Sequence, residues 1–210
     1  MSGRPTGAEP PHEAEAEPMV DAPDPEERHH LLAAIDAFDQ PVDARLERLR
    51  GNPVADSVFS AATTLGDFSL IWHLVGGLRG LTSEDRAQEA FELTALLGAE
   101  SLLVNQGVKR LFGRTRPTER GDERYQVRRP STSSFPSGHA SSGFFAATIL
   151  TSMSGRKWAP VWFGLATIVA LSRPYVRIHH ASDVVVGAAF GVALGKIAVA
   201  GRNRARAIVG

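Results

Sequence analysis

Three sets of charged and hydroxyl residues stand in order in the second half of the chain. The first is "KRLFGRTRP": Lys109, six residues, then Arg116 and Pro117. The second is "PSGH", Pro136 to His139. The third, "SRPYVRIHHASD", gives Ser172 and Arg173, five residues, His179, three more, then Asp183. Lys109, Arg116 and Arg173 supply three cations, two of them planar forks that match phosphate oxygens. "PSGH" would put backbone N–H groups at a helix N-terminus, where anions bind readily. Ser137 reads as an N-cap and a hydroxyl donor, and Gly138 lets the backbone approach a ligand closely. Phosphoryl transfer is mainly positioning and charge stabilisation, which such a set would provide. It also needs a nucleophile and an acid, and the candidates are the histidines and Asp183.

Each signal has a blander reading on its own. Lys109 at a helix C-terminus is ordinarily a partner of the helix dipole. The third set, lying between the apolar runs "VWFGLATIVAL" and "VVVGAAFGVALG", would pass for a solvated loop. Arg114 reads as a solvated charge ahead of a spare phosphate contact. Tyr175 and Arg177 read as loop packing or headgroup contacts, and Ser133 and Ser134 as loop residues. Glu100 and Asn105 sit inside an apolar helix, where ionisable groups are expensive; an inter-helix hydrogen bond competes there with a substrate role. Asp67 and His73 fall under the same choice.

The elements that must position these residues read as helices. Apolar segments cover 54–78, 87–112, 138–153, 158–172 and 183–200, with no strand-like alternation after residue 28. A membrane span needs ~20 residues, so the third and fourth are short unless flanking motif residues also sit at membrane depth. Glycines 187, 191 and 195 form a GxxxGxxxG face that lets helices approach closely in lipid. Residues 29–53 carry apolar positions near helical spacing and suggest amphipathic interfacial helices, broken in two at Pro41. Residues 1–28 hold eight carboxylates against two arginines and read as a disordered acidic tail. The expected organisation is that tail, the helices of 29–53, a domain over 54–201 that carries the three sets and a basic C-terminal tail, 202–210. The fold class is all-α: a membrane-embedded bundle of about five transmembrane helices plus the N-terminal amphipathic ones.

Composition excludes several functions. The 210 residues carry a formal net charge of zero, which removes a global basic field for nucleic acid. The chain has no cysteine, so disulfides, thiolate nucleophiles and Cys-ligated zinc are absent. A mean hydropathy of -0.11 averages the polar opening with a more apolar remainder.

In order and spacing, the three sets resemble the tripartite signature of the type 2 phosphatidic acid phosphatase (PAP2) superfamily, and every fixed position is matched. That group includes membrane lipid phosphatases, soluble bacterial acid phosphatases and vanadium haloperoxidases. The resemblance covers roughly 54–200 and implies that His179 attacks phosphorus to form a phosphohistidine. Asp183, one helical turn on, would hold the other ring nitrogen. His139 would protonate the leaving oxygen and then activate water. Spacing selects His179 over its neighbour His180, which is left a structural or substrate-facing role. Lys109, Arg116, Ser137, Gly138 and Arg173 would bind phosphate, with no metal or other cofactor required. The implied partners are a lipid phosphate substrate and membrane lipids, with a possible homo-oligomer and no nucleic acid. A vanadium haloperoxidase is disfavoured by the short, apolar chain. A soluble acid phosphatase is disfavoured by the Gly-repeat helix and the lack of a signal peptide. A non-catalytic lipid-binding relative would not need both histidines and the aspartate.

The links 79–86 and 155–157 and the tail "GRNRAR" are basic and would share the cytoplasmic side. Arginines 114, 116, 120, 124, 128 and 129 on the other side run against a simple count, and several are set aside as ligand-binding residues. The resemblance implies that the motif face looks out of the cytoplasm. A six-span pattern is usual in such proteins; here the polar 29–50 region replaces the first span.

Overall fold

The computed structural model describes residues 24–118, 122, 124–125, 127–128 and 132–209. The acidic tail, up to residue 23, lies outside these residues, as do Arg120 and Arg129. The chain divides between Ala34 and Ile35, and every contact given below lies within Ile35–Gly210. Among the described residues there is no strand. The described residues form seven α-helices in order: α1 Pro25–Glu47, α2 Pro53–Gly66, α3 Leu70–Gly80, α4 Glu84–Ser101, α5 Gly138–Ser154, α6 Ala159–Tyr175 and α7 Ala181–Val209.

Local chemistry sets most boundaries. Asn52 caps α2 by accepting from the N–H groups of Val54 and Ala55, and Pro53 occupies the position where no N–H is needed. Ser83 caps α4, whose first turn holds Glu84 and Asp85 at the positive end of the dipole. Pro41 does not break α1, contrary to the expectation from sequence. A proline forfeits one backbone bond, and here the helix is tied down on both sides of it. Asp39 bonds Ser182 and Arg114, and Leu46 is buried with Tyr175, Val176 and Ile178.

α5 lies at the centre, packed on α6 and α7. Its buried Phe145, Ile149 and Leu150 join Trp72, Leu93, Leu97 and Val169 in the main apolar cluster. The glycine face of α7 lies directly on the α5 backbone. A Cβ at Gly187 would stand 2.5 Å from the carbonyl oxygen of Ser137, and one at Gly191 would overlap the carbonyl oxygen of Ser141. This contact brings the first turns of α5 and α7 together, and the N–H of Ser137 donates to the carbonyl of Asp183 at 3.0 Å.

The far end of the bundle gathers the basic links. Arg202 reaches Glu92 at 2.7 Å and Glu89 at 3.2 Å, and Arg79 reaches Glu89 at 3.2 Å. Residues 202–209, expected as a basic tail, continue α7, because the Arg202 side chain is clasped by those two carboxylates and only 5% exposed. Among the described residues, two stretches are long and apolar enough to cross a membrane: Pro53–Gly80, with mean hydropathy 1.2, and Ala181–Ile208, with 2.0. α5 and α6, at 17 residues each, are short for a span.

Candidate active site

Lys109 arrives through an irregular turn. α4 gives way to a π-helical segment, Leu102–Gly107, and then to a 3-10 turn, Val108–Leu111. Inserted π turns redirect the residues after them, and Lys109 ends buried in the wall of a cleft of about 290 Å³. The extended run that follows is braced by Ser134, whose N–H bonds the carbonyl of Arg114 and whose hydroxyl bonds that of Thr115. Arg116 leaves this run and donates to the carbonyls of Ile178 and Thr132, each at 2.9 Å.

α5 begins at the cleft. Ser137 is its N-cap, as its place in "PSGH" suggests, accepting from the N–H of Ala140. Ser137 itself is fully buried and absent from the cleft wall, which is formed by Gly138 and His139. A Cβ on Gly138 would meet Asn105 Oδ1 at 3.0 Å and Lys109 Nζ at 3.5 Å, so the bare backbone is what fits between them.

Arg173 ends α6 and is 1% exposed. One of its nitrogens donates to Thr63 Oγ1, while Nε and Nη2 are buried with no hydrogen-bond partner. Unsatisfied buried donors are rare and call for an explanation; an oxyanion in the adjoining cleft would supply one.

His179 lies in the turn between α6 and α7, 2% exposed, and shares the cleft with His139 and Arg173. Its Nε2 is 3.3 Å from Arg116 Nη1, and its Nδ1 is 3.5 Å from Asp183 Oδ2. The second separation suits an ion pair, but Nδ1 makes no aligned hydrogen bond. A guanidinium only donates, so the lone pair belongs on Nε2 and the proton on Nδ1, facing the carboxylate. Burial, with help from Arg173 and Arg116, pushes the His179 imidazole down to about 3, against the opposing pull of Asp183. The ring is therefore neutral at ordinary pH with Nε2 unprotonated, the state a nitrogen nucleophile requires.

Four participants carried no decisive signal in the sequence. Asp67 Oδ1 lies 3.3 Å from His139 Nε2, which also meets the carbonyl of Thr63 at 3.1 Å. Both neighbours are acceptors, so this nitrogen carries a proton. Asp67 is placed by a kink between α2 and α3, where Phe68 and Ser69 adopt φ of 53° and 59°. Two successive non-glycine residues in the left-handed region are costly and are retained at functional sites. Arg114 is neither a solvated charge nor a phosphate contact: it bridges Asp183 at 2.6 Å and Asp39 at 2.8 Å. An acidic residue within an apolar run was the available hint for Asp67; Thr63 and Asp39 had none.

The remaining candidates fall away from the chemistry. His180 lines a second cavity of about 210 Å³, on the other side of His179, with Asp39 and Arg177, and contributes its N–H to Asp183 Oδ2 at 2.9 Å. Arg177 pairs with Glu47 at 2.6 Å, and the Tyr175 hydroxyl donates to Asp56, so both are packing residues. Glu100 lines the cleft and accepts a hydrogen bond from Ser141 across the helix interface, whereas His73 only meets Thr94 on the surface.

The family model described as the PAP2 superfamily matches residues 90–207, which contain all three motifs. The chain belongs to the PAP2 superfamily. Decaprenylphosphoryl-5-phosphoribose phosphatase of Mycobacterium tuberculosis (strain CDC 1551 / Oshkosh) is 39% identical over 102 residues, 47% of this chain and 55% of that protein. The PAP2 chain thus spans about half the length of that curated relative. The Mycolicibacterium smegmatis protein of the same name is 30% identical over 171 residues, 80% of this chain and 84% of its own. Among solved structures, a transmembrane PAP2 type phosphatidylglycerolphosphate phosphatase from Bacillus subtilis superposes with a TM-score of 0.64 at 21% identity. That superposition covers 81% of the PAP2 chain and 87% of the other. It shows the fold; Asp39, Thr63 and Asp67 lie outside the family-model match.

Proposed function

We propose that this PAP2 protein is a membrane phosphatase that hydrolyses a lipid phosphate or polyprenyl (di)phosphate through a phosphohistidine, without a metal. The observation that carries the proposal is the single cleft holding Lys109, His139, Arg173 and His179, with two guanidinium nitrogens of Arg173 unpartnered in its wall. Nε2 of His179 attacks phosphorus and the bond from phosphorus to the leaving oxygen breaks. His139 gives that oxygen a proton. Water then attacks the phosphohistidine, His139 takes a proton from it, and the P–N bond breaks to release inorganic phosphate. Lys109, Arg116 and Arg173 balance the charge on the non-bridging oxygens, the task a divalent cation performs in other phosphoryl transfers.

The names of the relatives favour a phosphomonoester carried on a lipid-linked sugar as the first substrate to try. We place about five spans in the bilayer and the cleft on the extracytoplasmic side, with the Arg79, Arg156 and Arg202 end in the cytoplasm, following the positive-inside rule. Because the chain has no native cysteine, single-Cys variants at the two ends, probed with an impermeant maleimide, test that orientation directly.

The deciding assay is release of inorganic phosphate in detergent with EDTA, from a polyprenyl-phosphoryl sugar phosphate, a polyprenyl diphosphate and phosphatidic acid. Wild type is expected to act on at least one, and His179→Ala on none. A wild type inactive on the whole panel, or an active His179→Ala, overturns the proposal. His139→Asn with an aryl phosphate should accumulate acid-labile label on the protein, since departure of the phenolate needs little help and hydrolysis of the intermediate does.

A further inference from the structure

Asp183 does not stand alone behind His179. Its Oδ1 accepts from Arg114 Nη1 at 2.6 Å, and its Oδ2 accepts from the N–H of His180 at 2.9 Å while facing His179 Nδ1. With both oxygens engaged on different sides, the carboxylate cannot turn without breaking a charge-assisted bond. Arg114 is fixed in its turn by Asp39 of α1, Nη2 to Oδ2 at 2.8 Å. The same Asp39 carboxylate accepts from the N–H of Ser182 at 2.7 Å and from its hydroxyl at 2.8 Å. It thereby caps the first turn of α7 from a residue 143 positions away. Asp39 is 8% exposed, and Asp183 is fully buried.

We infer that Asp39 and Arg114 are positioning residues for the nucleophile: α1 reaches across to lock the Asp183 carboxylate, and so the His179 imidazole, in its attacking orientation. This rests on the phosphatase reading above. Neither residue lines the cleft; Asp39 shares only the wall of the 210 Å³ cavity with His179. Their effect passes through Asp183, as the outer partners of a metal-bound histidine act through the ligand they orient. α1, which the sequence offers as an interfacial helix, thus becomes part of the catalytic support.

The variants Asp39→Asn and Arg114→Gln separate this role from plain stability. The Asp39→Asn side chain keeps an acceptor for the Ser182 N–H but presents an amide, not a carboxylate, to Arg114. Asp39→Asn should therefore unfold within a few degrees of wild type while its kcat falls about 10–100-fold and its KM moves less than about twofold. Arg114→Gln should lose kcat to a similar degree, and the double variant should be no worse than the poorer single one, because both act along one path. Arg114→Lys, which keeps the charge without the two-pronged bridge, should recover only part of the loss. Single-turnover formation of phosphohistidine should slow by the same factor as kcat. A folded Asp39→Asn with wild-type kcat, or independent multiplicative losses in the double variant, overturns the inference while leaving the phosphatase reading intact. A wild type inactive on every phosphate ester removes both.

Discussion

Asp67 Oδ1 lies 3.3 Å from Nε2 of His139, so each of the two cleft histidines has a carboxylate at its ring. The two pairs differ in what the proposed reaction asks of them. The His179 pair must leave a lone pair free, and the His139 pair must accept a second proton and give it up. Asp67 faces the proton-bearing Nε2 and so orients the ring that is to protonate a leaving group. Asp67→Asn should therefore lower kcat about 10–100-fold on an alkyl phosphate, by analogy with the outer partners of a metal-bound histidine. An aryl phosphate, whose leaving group needs little protonation, should be affected far less. Steady-state kinetics on the two substrates reads that ratio, and an equal loss on both would remove Asp67 from the acid's support.

The buried Arg173 donors make a binding prediction that does not depend on turnover. Nε and Nη2 lack partners in the wall beside His179, and vanadate or inorganic phosphate would supply oxygens to both. Vanadate at a hundred times its dissociation constant should stabilise the folded protein by about 2.7 kcal/mol, seen as a raised unfolding temperature. Arg173→Lys keeps a charge but not the planar fork, so most of that rise should disappear. An undiminished rise in Arg173→Lys would place the anion elsewhere.

The three motifs were legible because their chemistry is carried by residue types that are expensive inside an apolar bundle. Lys109, His139, Arg173 and His179 line one cleft, Arg116 and Asp183 meet His179 from outside its wall, and the GxxxGxxxG face of α7 makes the close contact that brings the second and third sets together. What the sequence hid has physical causes. Asp39 is one of several acids on an exposed-looking helix, and only its distance from Ser182 in the folded chain distinguishes it. Thr63 acts partly through its backbone carbonyl, which every residue possesses. Arg114 and Arg116 stand two positions apart in an extended run, which puts them on one face, so nothing in the sequence separates the one that meets Asp39 and Asp183 from the one that meets His179. Pro41 misled because a single lost backbone bond is small beside the side-chain bonds that hold α1 in place.

The depressed His179 basicity fixes the sign of a pH effect on stability. The folded-state value near 3 lies below the ordinary 6.5, so between them the unfolded chain takes up a proton that the folded chain refuses. Stability from this residue is full above pH 6.5 and is lost as pH falls toward 3, by up to about 1.4 kcal/mol per pH unit. Thermal unfolding in detergent should show a lower midpoint at pH 5 than at pH 7, and His179→Gln should flatten that slope. A slope unchanged by the substitution would assign the acid sensitivity to other groups.

The contact between α5 and α7 should be the least forgiving part of the scaffold. At Gly191 an added methyl overlaps the carbonyl oxygen of Ser141, and that oxygen belongs to a central helix whose buried side chains pack on α6 and α7. Overpacking of this kind typically costs about 1–3 kcal/mol, and here relief requires α7 to move away from α5. Because Ser137 is tied to Asp183 across the same interface, that movement also pulls the His179 turn away from His139. Gly191→Ala should therefore lose both unfolding temperature and kcat. Gly201→Ala, with nothing within 4 Å of the new methyl, should lose neither. Equal behaviour of the two variants in unfolding and turnover assays would contradict the close approach on which the shared cleft depends.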